Sequence, residues 1–136
     1  MTTPDRLRAV DDDRLRLEIA RTLTDAALFS RRALRRPLRA YQLPPAQAIV
    51  DAVLQRRGLT IAVMMSRQAG KNETAAQVEA LLLNLFRQRG GCIVKAAPTF
   101  KPQAVNSLMR LQQVLEGSVL PPAQVEAGGT VRLGRA

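Results

Sequence analysis

Between residues 59 and 96 the chain changes hydrophobic period twice, and this restricts its possible folds more than any other feature. Residues 59–64, LTIAVM, are β-rich and apolar at both alternate sets of positions, as in a strand covered on both faces of a parallel sheet. A short polar loop, 66–70, follows, and 72–89 then place Ala75, Val78, Leu81, Leu82 and Leu85 at helical spacing before Gly90-Gly91 ends the run. Residues 92–96, CIVKA, read as a second strand, closed by Pro98. Residues 101–116 read as a further helix with Val105, Leu108, Leu111 and Leu115 as its stripe. Strand, helix, strand, helix predicts right-handed βαβ crossovers: an α/β fold in three layers, a parallel sheet with flanking helices. After Gly117 the pattern weakens through Pro121-Pro122 and Gly128-Gly129 to TVRLG, at best an edge strand. There is no internal repeat or low-complexity tract.

Upstream, Asp12 or Asp13 caps an amphipathic helix running to about Ser30, with Leu15, Ile19, Leu23, Ala26 and Ala27 on one side. Residues 31–36 extend it or form a basic junction, and Pro37 ends it. A second helix follows Pro44-Pro45 and stops at Gly58, with Ala48, Ile49, Ala52 and Val53 inward and Gln47, Asp51 and Arg56 toward water. The expected division is therefore 1–36, an N-terminal helical segment, and 37–136, the α/β part. The longest apolar stretches, 59–65 and 80–86, fall well short of the roughly 20 residues that span a bilayer. The first residues, MTTPDRLRAVDDD, lack the basic-then-apolar order of a secretory signal. A soluble, membrane-free protein of a reducing cytoplasm is expected.

Composition removes several chemistries. With no histidine, one cysteine (Cys92) and no tryptophan, the chain has no Ser/His/Asp triad, no zinc-ligand spacing and no disulfide framework. Its 21 Lys+Arg against 11 Asp+Glu give a formal charge of +10, carried almost wholly by arginine, with pairs at 31/32, 35/36 and 56/57. Such a balance favours a polyanion partner through counterion release, and aromatic residues, 3% of the chain, are too few for a base-stacking platform. Backbone contact to nucleic acid is the expected mode; a solvated basic face is the plainer alternative.

Where the first strand meets its helix stand Met65, Ser66, Arg67, Gln68, Ala69, Gly70, Lys71 and Asn72. Strand, tight loop and helix N-terminus together aim backbone N–H groups and the positive end of a helix dipole at one point, which suits a phosphate. Lys71 would reach the β/γ-phosphates and Gly70 would let the backbone approach closely. This is a P-loop in position, although Met65 and Asn72 depart from two fixed positions of G-x-x-x-x-G-K-[ST]. An ordinary strand-to-helix turn with a solvated lysine would read the same way.

The loop SRQAGKNE, the upstream PLRAYQ and the downstream IVKAAPTFKPQ, in this order, resemble the ATPase domain of phage terminase large subunits, the motors that package viral DNA. The resemblance runs from about Leu34 to Leu115. In that family the phosphate loop is commonly S-R-Q-x-G-K, which Ser66, Arg67, Gln68, Gly70 and Lys71 reproduce, so the missing first glycine becomes a family trait. Tyr41-Gln42 resembles the adenine-contacting Q motif, and a glutamine amide offers both donor and acceptor to a base, although a polar residue at a helix start would read the same way. The resemblance implies ATP with Mg²⁺, and Arg67 at the γ-phosphate beside Lys71; Asn72 departs from the metal-binding hydroxyl of most P-loops, and its amide oxygen, also a hard ligand, can take that place. Arg67 has an alternative as a loop anchor, Thr74 would be turned away, and Glu73 would be a first-turn carboxylate favoured by the dipole. Ala97-Pro98-Thr99 resembles the family's coupling segment, or is a strand-end turn. Implied partners are double-stranded DNA, other terminase subunits and the portal, in the cytoplasm of a host cell carrying a phage or prophage.

Two family components have no counterpart: an apolar strand ending in Asp-Glu, and a nuclease domain with its acidic cluster. A partial P-loop ATPase domain is thus expected, one that binds ATP but hydrolyses it poorly alone, with an apolar sheet edge left open to self-association or to a second polypeptide. The alternatives are a small basic protein that touches DNA or terminase components without nucleotide turnover, and part of a helicase-like P-loop ATPase.

Overall fold

The computed structural model describes residues 3–126 and 129–134; Gly128 of the expected late turn lies outside them. Five α-helices dominate: α1 (Thr3–Thr24), α2 (Ala26–Arg32), α3 (Leu43–Leu54), α4 (Lys71–Leu85) and α5 (Val105–Glu116). A hairpin of β1 (Gln124–Glu126) and β2 (Thr130–Arg132) follows, antiparallel with Val125 opposite Val131. Among the described residues no helix is long and apolar enough to cross a membrane.

The α/β fold, a three-layer P-loop NTPase with a parallel sheet, is therefore corrected: the two-stranded antiparallel hairpin is the whole sheet content of the described residues. Residues 59–64 and 92–96 have strand-like sequences, yet neither is hydrogen-bonded into a ladder. A strand exists through its neighbours, and β-rich composition without a partner yields only extended chain. The core explains why none forms. Among the described residues every buried apolar side chain comes from α2 to α5 or the 33–38 connector, Phe29, Leu34, Val50, Leu81, Val114 and Leu115 among them. Both strand-like runs lie outside it, with Met64 96% and Val94 86% exposed.

The helices themselves follow local rules. The expected single N-terminal helix breaks at Asp25, whose extended backbone (φ −112°, ψ 114°) and side chain, accepting from Leu28 N at 2.9 Å, start α2 afresh. Gln47 of α3 closes that break, accepting from Ala26 N at 2.7 Å and donating to Thr24 O at 3.0 Å. Leu15 and Ile19 of the expected apolar stripe are exposed on α1, so only the last turns of that helix approach the core, through Leu23. Proline in its first turn sets the start of α3, which turns Ala46, Val50 and Ala52 inward and leaves Ala48 and Val53 exposed. On α4 the buried face is Thr74, Ala76, Gln77, Val78, Ala80 and Leu81, so polar residues share it with the aliphatic ones. Lys95 of the second extended run is held to this helix by an ion pair with Glu79, Nζ to Oε1 2.6 Å. An Arg32 hydrogen bond to Glu18 at 3.0 Å ties α1 to α2 and holds that carboxyl below its usual range. This tie is intact above the ordinary carboxylate range and is lost as pH falls through the depressed value.

Leu81→Ala is expected to lower the unfolding free energy by about 3 kcal/mol. Met109→Ala, at a side chain 51% exposed, should lower it by under about 0.5 kcal/mol. Urea titration followed by circular dichroism checks both, and equal losses would mean that the core does not centre on α4.

Candidate functional site

The turn after Pro37 folds on itself: Gln42 N donates to Arg39 O at 2.9 Å, and Arg39 N donates to Gln42 Oε1 at 2.8 Å. That double closure turns the Gln42 side chain inward, where it is 4% exposed. Its Nε2 then donates to Gly70 O at 3.1 Å and to Thr74 Oγ1 at 2.9 Å. Beside it the Tyr41 hydroxyl donates to Ala69 O at 2.7 Å and receives Arg39 Nη1 at 3.3 Å. Two adjacent residues 28 positions upstream thus grip the end of the loop.

The loop itself is a turn closed by Ala69 N to Ser66 O at 3.3 Å, with Gln68 (φ 59°) and Gly70 (φ 81°) left-handed. At Gly70 the glycine has a second cause besides the dihedral. A Cβ there would stand 2.5 Å from Gln42 Nε2. Helix α4 begins at Lys71 with no side-chain cap, which leaves its first-turn amides without an intrahelical or capping side-chain partner. Thr74 is turned inward, donating to Gly70 O at 3.0 Å.

Two cavities flank the loop. One, of about 330 Å³, is lined by Arg36, Tyr41, Gln42, Gln68, Gly70 and Gln77 among others. The second is an open groove of about 860 Å³ between the loop with residues 61–65 and the first turn of α3, with Tyr41, Ser66, Arg67, Gln68 and Ala69 on its wall. Of the residues singled out in the sequence, Tyr41, Gln42, Ser66, Arg67, Gln68, Ala69 and Gly70 come together around these two spaces. Lys71 and Asn72 do not line either; both are exposed at the start of α4. Ala97, Pro98 and Thr99 are exposed and also line neither. Arg67 makes no ion pair among the described residues.

A polar cluster absent from the sequence reading stands against the smaller cavity. The Glu73 carboxylate takes Arg36 Nε at 3.0 Å and Nη2 at 3.1 Å, and lies 3.7 Å from Arg110 Nη1 of α5. Gln77, 3% exposed, donates through Nε2 to Glu73 Oε1 and Arg36 O, both at 2.9 Å. Because those partners only accept, the amide orientation is fixed, and Gln77 Oε1 is left buried without a partner. The signal was present in the sequence: Glu73, Thr74 and Gln77 recur at helical spacing next to Gly-Lys, a polar stripe on an otherwise apolar helix. Among the described residues no group of acidic, Cys or His side chains is placed to hold a metal ion. No family model, curated protein or solved structure matches this chain.

Gly70→Ala is expected to destabilise the protein by more than about 1 kcal/mol, from the strained φ and the contact with Gln42. Gln42→Ala removes the contact but not the strain. The double variant should therefore cost less than the sum of the two. Additivity within about 0.3 kcal/mol in a denaturation cycle would show the two sites to be uncoupled.

Proposed function

We propose that the loop at residues 66–72 takes the phosphate tail of ATP, and that the chain is the nucleotide-binding part of a terminase-type DNA-packaging ATPase. The observation that carries this reading is the loop's attachment: Tyr41 and Gln42, the aromatic-Gln pair singled out in the sequence, are hydrogen-bonded to Ala69 and Gly70 immediately before an uncapped helix N-terminus. An uncapped first turn of a 15-residue helix presents amide donors and a positive dipole end, to which a phosphate is a fitting partner.

The residues fit the nucleotide unequally. Ser66, Arg67 and Lys71 supply a hydroxyl and two cations for phosphate oxygens, and exposed Lys71 and Arg67 are free to swing toward an arriving anion. Gln42 has both amide protons engaged within the chain, so its part is to hold Gly70, and only the second lone pair of Oε1 remains for a base. Asn72 would offer Mg²⁺ an amide oxygen, and the ion would neutralise charge on the β/γ-phosphates. Glu73, engaged by two guanidinium groups, is not placed as a general base, in keeping with binding and weak hydrolysis. DNA, other packaging subunits and a portal belong to the same proposal, supported by the +10 formal charge.

A second reading, a basic DNA-contacting protein without nucleotide turnover, is favoured by the absence of Lys71 from both cavity walls. Calorimetric titration separates the two. Lys71→Ala is expected to weaken Mg-ATP binding about 10-fold or more, the worth of one charge-assisted contact. An ATP affinity indifferent to that change, beside salt-sensitive duplex binding, would establish the second reading instead.

A further inference from the structure

Residues 59–65 form a seven-residue run outside any helix or strand, in which no main-chain group is hydrogen-bonded to any other described residue. Burial alternates from Thr60 to Met65, and Leu59 is exposed. Ile61, Val63 and Met65 are half-buried while Ala62 and Met64 are exposed. This is the pattern of a strand in place but unpaired. Extended chain with β-branched residues and open N–H and C=O groups is a template for another strand. The wall across the 860 Å³ groove cannot substitute for one, because Pro44 and Pro45 of α3 have no N–H to donate.

We infer that this segment is a docking edge for an extended segment of another protein, one that is apolar at its centre and acidic at its ends, bound by main-chain pairing. The charges select that occupant. The run carries no charge, but Arg56 and Arg57 precede it and Arg67 follows it, all exposed and without an ion-pair partner among the described residues, and Arg39 stands on the groove wall. A second copy of the chain is the wrong occupant. Antiparallel self-pairing about Ala62 sets Arg57 opposite Arg67 twice, since each lies five residues from Ala62, and parallel self-pairing stacks like on like. An incoming strand with Asp or Glu at both ends meets those arginines instead. Its alternate apolar side chains enter the groove beside Ile61 and Val63, and those facing away remain in water.

The probe is a synthetic peptide of alternating Val and Thr with Asp-Glu at each end, added to the full chain. Fluorescence anisotropy and amide hydrogen exchange read the outcome. Alternate amides between residues 59 and 65 should gain at least 10-fold protection, a Lys-ended peptide should bind at least 10-fold more weakly, and N-methylation of the peptide's inward amides should abolish binding. Arg57→Glu/Arg67→Glu, at two exposed positions, should reverse the preference between the acidic and basic peptides. Three results would each overturn the inference: binding indifferent to N-methylation, protection confined to other residues, or protection that grows with protein concentration in the absence of peptide.

Discussion

A single buried amide holds the functional region in shape. Gln42 spends both protons on Gly70 O and Thr74 Oγ1 and one acceptor position on Arg39 N, so one side chain fixes the turn at 39–42, the last residue of the loop and the first turn of α4 together. Buried polar groups are costly unless satisfied, which makes such a node specific about what may surround it. It accounts for the glycine at position 70, where any Cβ would press on the amide, and for a threonine at 74, whose hydroxyl accepts from Gln42 while donating to Gly70 O. Tyr41 then inherits its place. With the turn fixed, its hydroxyl reaches Ala69 O and the loop is held at two successive carbonyls.

From this node the helices supply rigidity on one side and none on the other. α4 packs against α5, α3, α1 and α2, with Ala76, Val78, Ala80 and Leu81 buried and Leu82, Leu83 and Leu85 partly so. The chain leading into the loop has no such support, since residues 59–65 lack ladder bonds and sit outside the core. The loop therefore joins a fixed C-terminal half to an unpaired N-terminal half. The proposed phosphate site would need its amides held in one arrangement, and only the Gly70 end of the loop is held by the fold. Whatever pairs with the extended run would also order the Ser66 end. Arg67 is shared, so an acidic strand end paired with it and an anion at the loop compete for one guanidinium, against the ordering that docking supplies.

How much of this was legible depends on which interactions are local. Helices α3, α4 and α5 follow from 3.6-residue periodicity, proline placement and glycine stops, and all three stand within a few residues of where the pattern puts them. The break at Asp25 was missed because a capping aspartate inside an amphipathic run is outweighed by the apolar pattern around it. The sheet was misjudged for a deeper reason. LTIAVM and CIVKA have the composition of strands, but pairing is a property of two segments, and one sequence window holds no information about whether the other is there. At the site, Tyr41, Gln42 and the loop were legible as a spaced pattern. The roles of Arg36, Arg110 and Gln77 were not, because they are set by contacts between elements far apart in the chain.

Those long-range arginines bear on the electrostatics of the loop. A glutamate in the first turn of a helix is favoured by the dipole, yet next to a phosphate site it is a like charge that would repel the ligand. Arg36 engages both Glu73 oxygens and Arg110 approaches one of them, so the cluster carries one carboxylate and two guanidinium groups. Its field at a distance is that of a net cation. At an effective dielectric near 20, an unscreened carboxylate about 6 Å from a phosphate charge would cost roughly 3 kcal/mol, enough to cancel a lysine contact. With that charge answered from α5 and from the 33–38 connector, the dipole, Lys71 and Arg67 all act in one direction on an anion at the loop. Glu73 can then keep its structural part, fixing Gln77 and Arg36 against α4, without opposing the anion proposed for the helix N-terminus.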